Sequence, residues 1–502
     1  MFSWFFNNFL CKMGGRVEIV PKNEENIPAP FCLHGPCICF RKVRQNSEHL
    51  EYYACSLYRD GKNCRAFIIV KDWMNYQDRE EKNKWVIREI LRQNESQKLN
   101  AKDFSKKPRK DFCKTCGAFV NEEQLHQHSK HLVLRDLGKQ QIREIQECPS
   151  KFFELKENDK GEAQYIFSGK TLNFFENLLV KLNFTKILCI GTPTLHAQLS
   201  RKSSRQGIRS YLLDIDERYG NFFGRKEFSK FNMFNCYFFE SQTSKKNLMD
   251  FLKQEKGDKL AIFVDPPFGC RTELLGEGLR NVQKLWRECN GNPTEVVTIF
   301  LIFPYYMETY VKKEMPQLEM MDYRVNYVNH TTFHDDEDGG RFGSPVRVFT
   351  NAQPSLVVLP EDEGYRECKI CRRWVARENS HCSICQQCPS KNGGSYKHCN
   401  MCGLCVKSYY KHCNICNRCT QESGHNCKDY QKFVSCWICR RTGHIEKFCS
   451  LRSKKGKVTA KRICGICLKK NHSELICTKR QSILSEEYFL GSYTINHVQV
   501  NR

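Results

Sequence analysis

Two kinds of residue grouping in this sequence are equipped for chemistry. The first is Asp265-Pro266-Pro267-Phe268. A carboxylate and the carbonyls of two prolines, which lack N–H groups, are acceptors held on a stiff turn, and the Phe268 ring adds a flat apolar face. Such a set suits a planar base carrying an exocyclic amine. The second grouping is cysteine and histidine at metal-ligand spacing. Many of the 31 cysteines stand in C-x2-C pairs interleaved with histidine, a pattern that presents thiolates to zinc rather than to disulfide partners and points to a reducing compartment.

Five ligand sets follow. Cys32, His34, Cys55 and Cys64 supply three thiols and an imidazole, enough for one closed tetrahedral site, with Cys37 and Cys39 close enough in sequence to replace Cys32. Cys113 and Cys116 precede His126, His128 and His131 in Cys2His2 order, in which a helix brings two histidines to two thiolates; His126 with His131 has the commoner spacing. Between 368 and 427 a His-Cys-x2-Cys-x2-Cys unit recurs. It comprises Cys368, Cys371, His381, Cys382, Cys385, Cys388, His398, Cys399, Cys402, Cys405, His412, Cys413, Cys416, Cys419, His425 and Cys427, enough for up to four Cys3His sites, and spacing alone does not say which ligands share an ion. Finally, Cys436, Cys439, His444 and Cys449 have the C-x2-C-x4-H-x4-C spacing of a zinc knuckle, with Trp437 placed to stack on an unpaired base. Cys464, Cys467, His472 and Cys477 repeat that spacing without an aromatic residue. The total is up to about eight zinc ions.

The elements that must position Asp265 are legible as apolar runs. Leu260 to Val264 is short, β-branched at its centre and stops at the acid, which predicts a buried parallel strand delivering Asp265 to the crevice beyond the sheet's carboxyl edge. Lys186 to Ile190 predicts a first strand turning at Gly191, and Tyr211 to Leu213 a second ending at Asp214, the place of a ribose-binding acid, with Asp216 as the alternative. Asn232-Met233-Phe234-Asn235 predicts a loop after the third strand. Segments 296–303, 323–328, 346–350 and 356–359 read as further strands. Strands alternating with amphipathic stretches from 150 to 362 predict a doubly wound α/β sheet. Only Gly191 of the usual glycine run is present, because Thr192-Pro193 follow it. A pyrophosphate cradle is therefore missing, which argues against a nicotinamide cofactor and for S-adenosylmethionine, which has no pyrophosphate.

The 502 residues carry a formal charge of +24, which predicts a polyanionic partner. Metal-bound thiolates trim that excess without abolishing it. Residues 2–11 are apolar but too short to span a bilayer, Met13 is an alternative start, and no later run is long enough, so no membrane is expected. The expected order is an N-terminal segment (1–27), a zinc module (28–75), a charged helix and basic linker (76–110), a Cys2His2 finger (111–135), the sheet domain (150–362), a multi-zinc domain (366–430) and knuckles at 434–450 and 462–478. The acidic stretch 335–340 reads as a solvated loop, or as a mimic of RNA phosphate that covers the site.

Asp265 to Phe268 resembles the D/N-P-P-F/Y/W signature of methyltransferases that act on exocyclic amines, and the segment from Cys32 to Cys64 resembles a GRF-type zinc finger. With Gly-Thr-Pro-Thr-Leu-His at 191–196, Leu-Leu-Asp-Ile-Asp at 212–216, Asn-Met-Phe-Asn at 232–235 and Ser-Pro-Val-Arg-Val-Phe-Thr-Asn at 344–351, the chain resembles the CCHC-zinc-finger rRNA adenine-N6 methyltransferases of animals. That resemblance implies a Rossmann-like class I methyltransferase core, His128 with His131 as finger ligands, and a cofactor lining of Gln164, Tyr165, Ile166, Phe167, Gly191, Thr192, Pro193, His196, Asp214, Met233, Phe234 and Asp265. It implies Asp265, Pro266, Pro267 and Phe268 around the target adenine, N6-methyladenosine in large-subunit rRNA as product, and residence in the nucleus and nucleolus, with the cytoplasm as an alternative. The competing readings are a zinc-dependent RNA-binding protein with a silent sheet domain, and an adenine methyltransferase of another RNA or of DNA. The second knuckle departs from the family pattern.

Overall fold

The computed structural model describes residues 16–20, 28–43, 49–58, 63–102, 111–156, 161–201, 207–240, 242–291, 295–330, 344–415, 418–421, 425 and 427. Cys416, the ligands of both knuckles and the acidic stretch 335–340 lie outside these. The chain divides into two compact units, one running to Met320 and including Arg324–Ala352, the other beginning at Gln353 and including Met321–Tyr323.

The first unit is built around one mixed sheet. In chain order its helices and strands are α1 (Gly169–Lys181), β1 (Lys186–Ile190), α2 (Pro193–Ser200), β2 (Arg209–Asp214), β3 (Phe228–Asn232), β4 (Tyr237–Phe238), α3 (Gln242–Leu252), β5 (Leu260–Val264), α4 (Thr272–Cys289), β6 (Thr298–Pro304), α5 (Glu308–Glu314), β7 (Glu319–Met321) and β8 (Val346–Thr350). The strands lie in the order β4-β3-β2-β1-β5-β6-β8-β7. The contiguous set β3, β2, β1, β5 and β6 is parallel, and β8 joins β6 antiparallel. β1 and β5 are buried at every position, as expected for strands covered on both faces. One face packs Leu188, Ile190, Ile262 and Val264 against Leu248 of α3 and Leu279 of α4. On the other, Phe263 meets Phe175 of α1 edge-on at 5.1 Å. Ser168 caps α1 by accepting from the Thr171 amide at 3.3 Å.

The strand expectations for 323–328 and 356–359 are corrected. Backbone amides and carbonyls of 325–328 pair with Ser168, Ile166 and Val346 one by one, so the segment is extended without a continuous ladder and makes a single bridge, Tyr327 to Phe167. Pro354 opens a 3-10 turn over Pro354–Leu356, and 357–359 is not a strand. The three-residue edge strand β7 was not legible, being too short for an alternation.

Two metal-binding modules share this unit. Strands Arg16–Ile19, Ile38–Val43, Leu50–Ala54 and Phe67–Ile69 make a four-stranded sheet, and Asp111–Cys113 pairs with Ala118–Val120 and Val133–Leu134. The second unit is a succession of small antiparallel hairpins, Tyr365–Cys368 with Arg373–Ala376, Tyr396–Cys399 with Leu404–Lys407, and Tyr410–Cys413 with Arg418–Gln421. Among the described residues no helix is long and apolar enough to cross a membrane.

Candidate active site

The sheet grows outward in both directions from β1 and β5, so the crevice at its carboxyl edge opens between their ends. Gly191 follows β1 and Asp265 follows β5, and the Asp265 amide donates to the Ile190 carbonyl at 3.1 Å. The chains approach so closely that a Cβ on Gly191, whose φ is +64°, would stand 2.9 Å from the Asp265 carbonyl oxygen. Glycine is required there both by conformation and by space.

A cavity opens at this junction, whose lining includes Gln164, Tyr165, Ile166, Gly191, Pro193, Thr194, Asp214, Ile215, Asn232, Met233, Phe234 and Asp265 to Phe268, together with Leu57, Ser150, Glu162 and Tyr219. At one end Asp265 is surrounded by rings. Tyr165 and Phe268 are nearly parallel with centroids 6.1 Å apart, and Tyr327 stands edge-on to Phe268 at 6.2 Å. The buried Tyr327 hydroxyl donates to both Asp265 carboxylate oxygens at 3.3 Å. Burial drives the Asp265 carboxyl well above the usual range, and the Tyr327 hydrogen bond opposes that rise. Sequence reasoning placed Tyr327 in a strand and missed its role; nothing local marks a partner 62 residues away.

At the other end Asp214, the last residue of β2, and Asp216, two residues on, separate. Asp216 accepts from Arg218 Nη2 at 2.8 Å and from Gln164 Nε2 at 2.6 Å, and its carboxyl is held low chiefly by Arg218 against the opposing effect of burial. Asp214 faces the cavity, and burial followed by the Asp216 charge pushes it up to about 7. The acid left to accept from a ligand is therefore Asp214, whose Oδ1 also accepts from the Asp216 amide at 2.9 Å.

Three expected lining residues are not at the cavity. His196 is wholly buried, bonds Ser210 Oγ at 2.9 Å and meets Phe223 edge-on, and burial pushes it down to about 3. Thr192 is buried beside it in the chain. Phe167 stacks behind Tyr327 at 5.4 Å. Residues 194–197 and 166–168 are buried without interruption, so these side chains belong to the packed interior behind the cavity wall.

The cysteines and histidines gather into compact groups whose ligand atoms lie within 4.8 Å of one another: Cys32, His34, Cys55 and Cys64; Cys113, Cys116, His128 and His131; Cys368, Cys371, His381 and Cys388; Cys382, Cys385, His398 and Cys405; Cys399, Cys402, His412 and Cys419. Cys413 and His425 both approach Cys427, at 3.5 and 3.1 Å. Cys37 and Cys39 are buried outside the first group. His126 instead turns to the Glu123 carbonyl at 2.7 Å. The expected helix is a seven-residue 3-10 segment, Glu122–His128, whose tighter winding carries His128 and His131 round to the thiols.

Ligands on zinc at about 2.0–2.3 Å define tetrahedral edges of about 3.3–3.8 Å. Observed separations include 3.5 Å for Cys116–His128, 3.6 Å for Cys385–Cys405 and 3.8 Å for Cys371–Cys388. Hydrogen bonds among the thiols push Cys55 and Cys32 far above their ordinary range and Cys64 far below it, so without an ion the group holds one thiolate and two thiols. A dication at the centre favours all three as thiolates, so donor set and spacing both fit zinc.

Residues 158–351 match the family model described as "Probable N6-adenine methyltransferase". Over 381 residues the chain is 35% identical to the rRNA N(6)-adenosine-methyltransferase ZCCHC4 of Homo sapiens, spanning 74% of this chain and 73% of that protein. The protein of the same name from Mus musculus is 35% identical over 379 residues, 73% and 72% of the two chains, and that from Xenopus laevis 34% over 374 residues, 73% and 75%.

Proposed function

The chain belongs to the family of rRNA N(6)-adenosine-methyltransferases, and from that premise we propose that its sheet domain methylates the exocyclic N6 amine of an adenosine in ribosomal RNA. The observation that carries the reading is Asp265 at the sheet's switch point, bonded by Tyr327 and set beside the Tyr165 and Phe268 rings. The RNA is that of the large subunit, the protein works in the nucleolus, and the zinc modules, with up to about eight ions, bind and present the RNA.

S-adenosylmethionine supplies a methyl group already activated on a sulfonium, so the protein's task is chiefly alignment. The cavity fits this cofactor. Gly191 leaves room against the backbone, Asp214 faces the cavity as an acceptor for ribose hydroxyls, and Gln164 to Ile166, Pro193, Met233 and Phe234 supply the walls. The Asp265 carboxylate and the Pro266 carbonyl accept the two amine hydrogens, which draws electron density onto the nitrogen. Phe268 packs on the base. A base in this cavity has left its stack, at a cost of a few kcal/mol, so unpaired adenosines are the cheaper targets.

The test is transfer of tritiated methyl to rRNA by the purified protein, with N6-methyladenosine identified by mass spectrometry and matched DNA oligonucleotides run in parallel. Label confined to RNA is expected; no label, or label only in DNA, overturns the reading.

Two pH effects follow. Asp214 is an ionised acceptor only above about 7. Cofactor affinity by calorimetry should therefore weaken about tenfold between pH 8.5 and 6, the worth of a hydrogen bond to a charged group, and Asp214→Ala should bind weakly at every pH. Tyr327→Phe removes the bond that holds the Asp265 carboxyl down, so its pKa rises further. The acid limb of kcat/KM should move to higher pH, and an unmoved limb would refute the role.

A further inference from the structure

We infer that the first metal module is a wall of the cofactor pocket, and that Asn232 and Asn235 are positioning residues that clamp the Met233–Phe234 loop to it. This rests on the proposed function but concerns residues to which that reading gives no task.

The loop joining β3 to β4 is four residues long, and Met233 and Phe234 line the cavity from it. Each flanking asparagine divides its amide between two jobs. Asn232 Oδ1 accepts from the Phe234 amide at 3.0 Å, while its Nδ2 donates to the His34 carbonyl at 2.8 Å and to Ser56 Oγ at 2.9 Å. Asn235 Oδ1 accepts from the Tyr237 amide at 3.2 Å, and its Nδ2 donates to the carbonyls of His34 and Pro36, each at 3.0 Å. The oxygen folds the loop and the nitrogen ties it to the module. Only this amide orientation is consistent, since a flip would set oxygen against carbonyl oxygen.

His34 is the centre of the arrangement. Its carbonyl receives both asparagines, and its ring lies 3.5 Å from Cys55 Sγ within the first thiol group. Gly35, with φ +96°, rests so close to Tyr237 that a Cβ would be 2.8 Å from its ring. Phe40 and Ala54 of the module share an apolar cluster with Phe234, and Leu57 reaches the cavity itself. The turn bearing His34 sits in a hairpin of two two-residue strands, extended by the Cys37 amide donating to the Pro30 carbonyl at 2.8 Å, and a ladder that short is marginal by itself without a metal. Zinc on this module therefore fixes the carbonyl that fixes the cofactor loop.

Asn232→Asp and Asn235→Asp keep size and the accepting oxygen but lose the donors. In zinc-loaded full-length protein, calorimetric titration should show the S-adenosylmethionine Kd raised about tenfold or more in each, with zinc content at the parent value. Asn351→Asp is the control. Asn351 divides its amide in the same way between the Ile299 amide and the Val297 carbonyl, at the sheet's opposite edge, and should leave the Kd unchanged. Cys64→Ser should weaken the cofactor likewise, and adding Asn235→Asp to it should give less than the sum. A Kd within twofold of the parent in both loop variants, or strictly additive effects, overturns the inference. Should neither variant fold, stepwise zinc withdrawal from the parent decides: cofactor affinity retained after the first module has lost its ion overturns it, and parallel loss supports it. A parent that binds no cofactor would instead refute the proposed function.

Discussion

Asp265→Ala is expected to lower methyl transfer by about three orders of magnitude while RNA and cofactor dissociation constants stay within a fewfold. As the amine nitrogen forms its new bond it gains positive charge, its hydrogens become better donors, and a carboxylate accepting from them is worth more in the transition state than in the bound substrate. The loss should therefore fall on kcat rather than KM. The Asp265 site magnifies the effect because it is desolvated, which strengthens the interaction and drives the carboxyl upward at rest. Single-turnover transfer of labelled methyl group to an rRNA fragment measures this directly. Turnover within tenfold of the parent would remove Asp265 from the chemistry.

Zinc removal should have the largest structural consequence, and in the second unit it should spread. Its hairpins have four-residue strands, and Ile370, Ile384 and Ile415 are 70%, 66% and 78% exposed. Apolar side chains that face water are not a core, so the ions take the place of one; structural zinc in small modules carries about 10–16 kcal/mol of apparent binding free energy that is also folding free energy. The groups interlock as well. His381 belongs to one and Cys382 to the next, and His398 and Cys399 repeat the step. Neighbouring residues thus anchor different ions, and loosening one group must strain the other. Cys385→Ser should lower the zinc count in native mass spectra by more than one ion and widen amide exchange across 368–421. Loss of a single ion with unchanged exchange at the neighbouring groups would show the sites to be independent.

How much of this was legible beforehand depended on range. Buried strands, the acids that end them, the proline turn and the thiol pairs are local patterns, set by side-chain chemistry within a few residues, and they appear where the sequence predicts them: β1, β2, β5, Asp214, Asp265 to Phe268, and the Cys113–Cys116 pair. In 323–328 the alternation is real, with Tyr323, Val325 and Tyr327 buried, yet the expected strand failed because its backbone groups are satisfied one at a time by Ile166, Ser168 and Val346, residues remote in the chain.

By itself, then, the amino-acid sequence determined the kinds of ligand, the strand ends that carry acids, and the family of chemistry. Tertiary structure alone decided which groups meet. It put Asp216 in an ion pair, turned His126 away to the Glu123 carbonyl, buried His196, interlaced the thiol groups, and brought Tyr327 to Asp265 and His34 to Asn232 across 62 and 198 residues. Such choices rest on contacts between segments remote along the chain, whose energies depend on the packed arrangement and leave no periodic trace in composition or spacing.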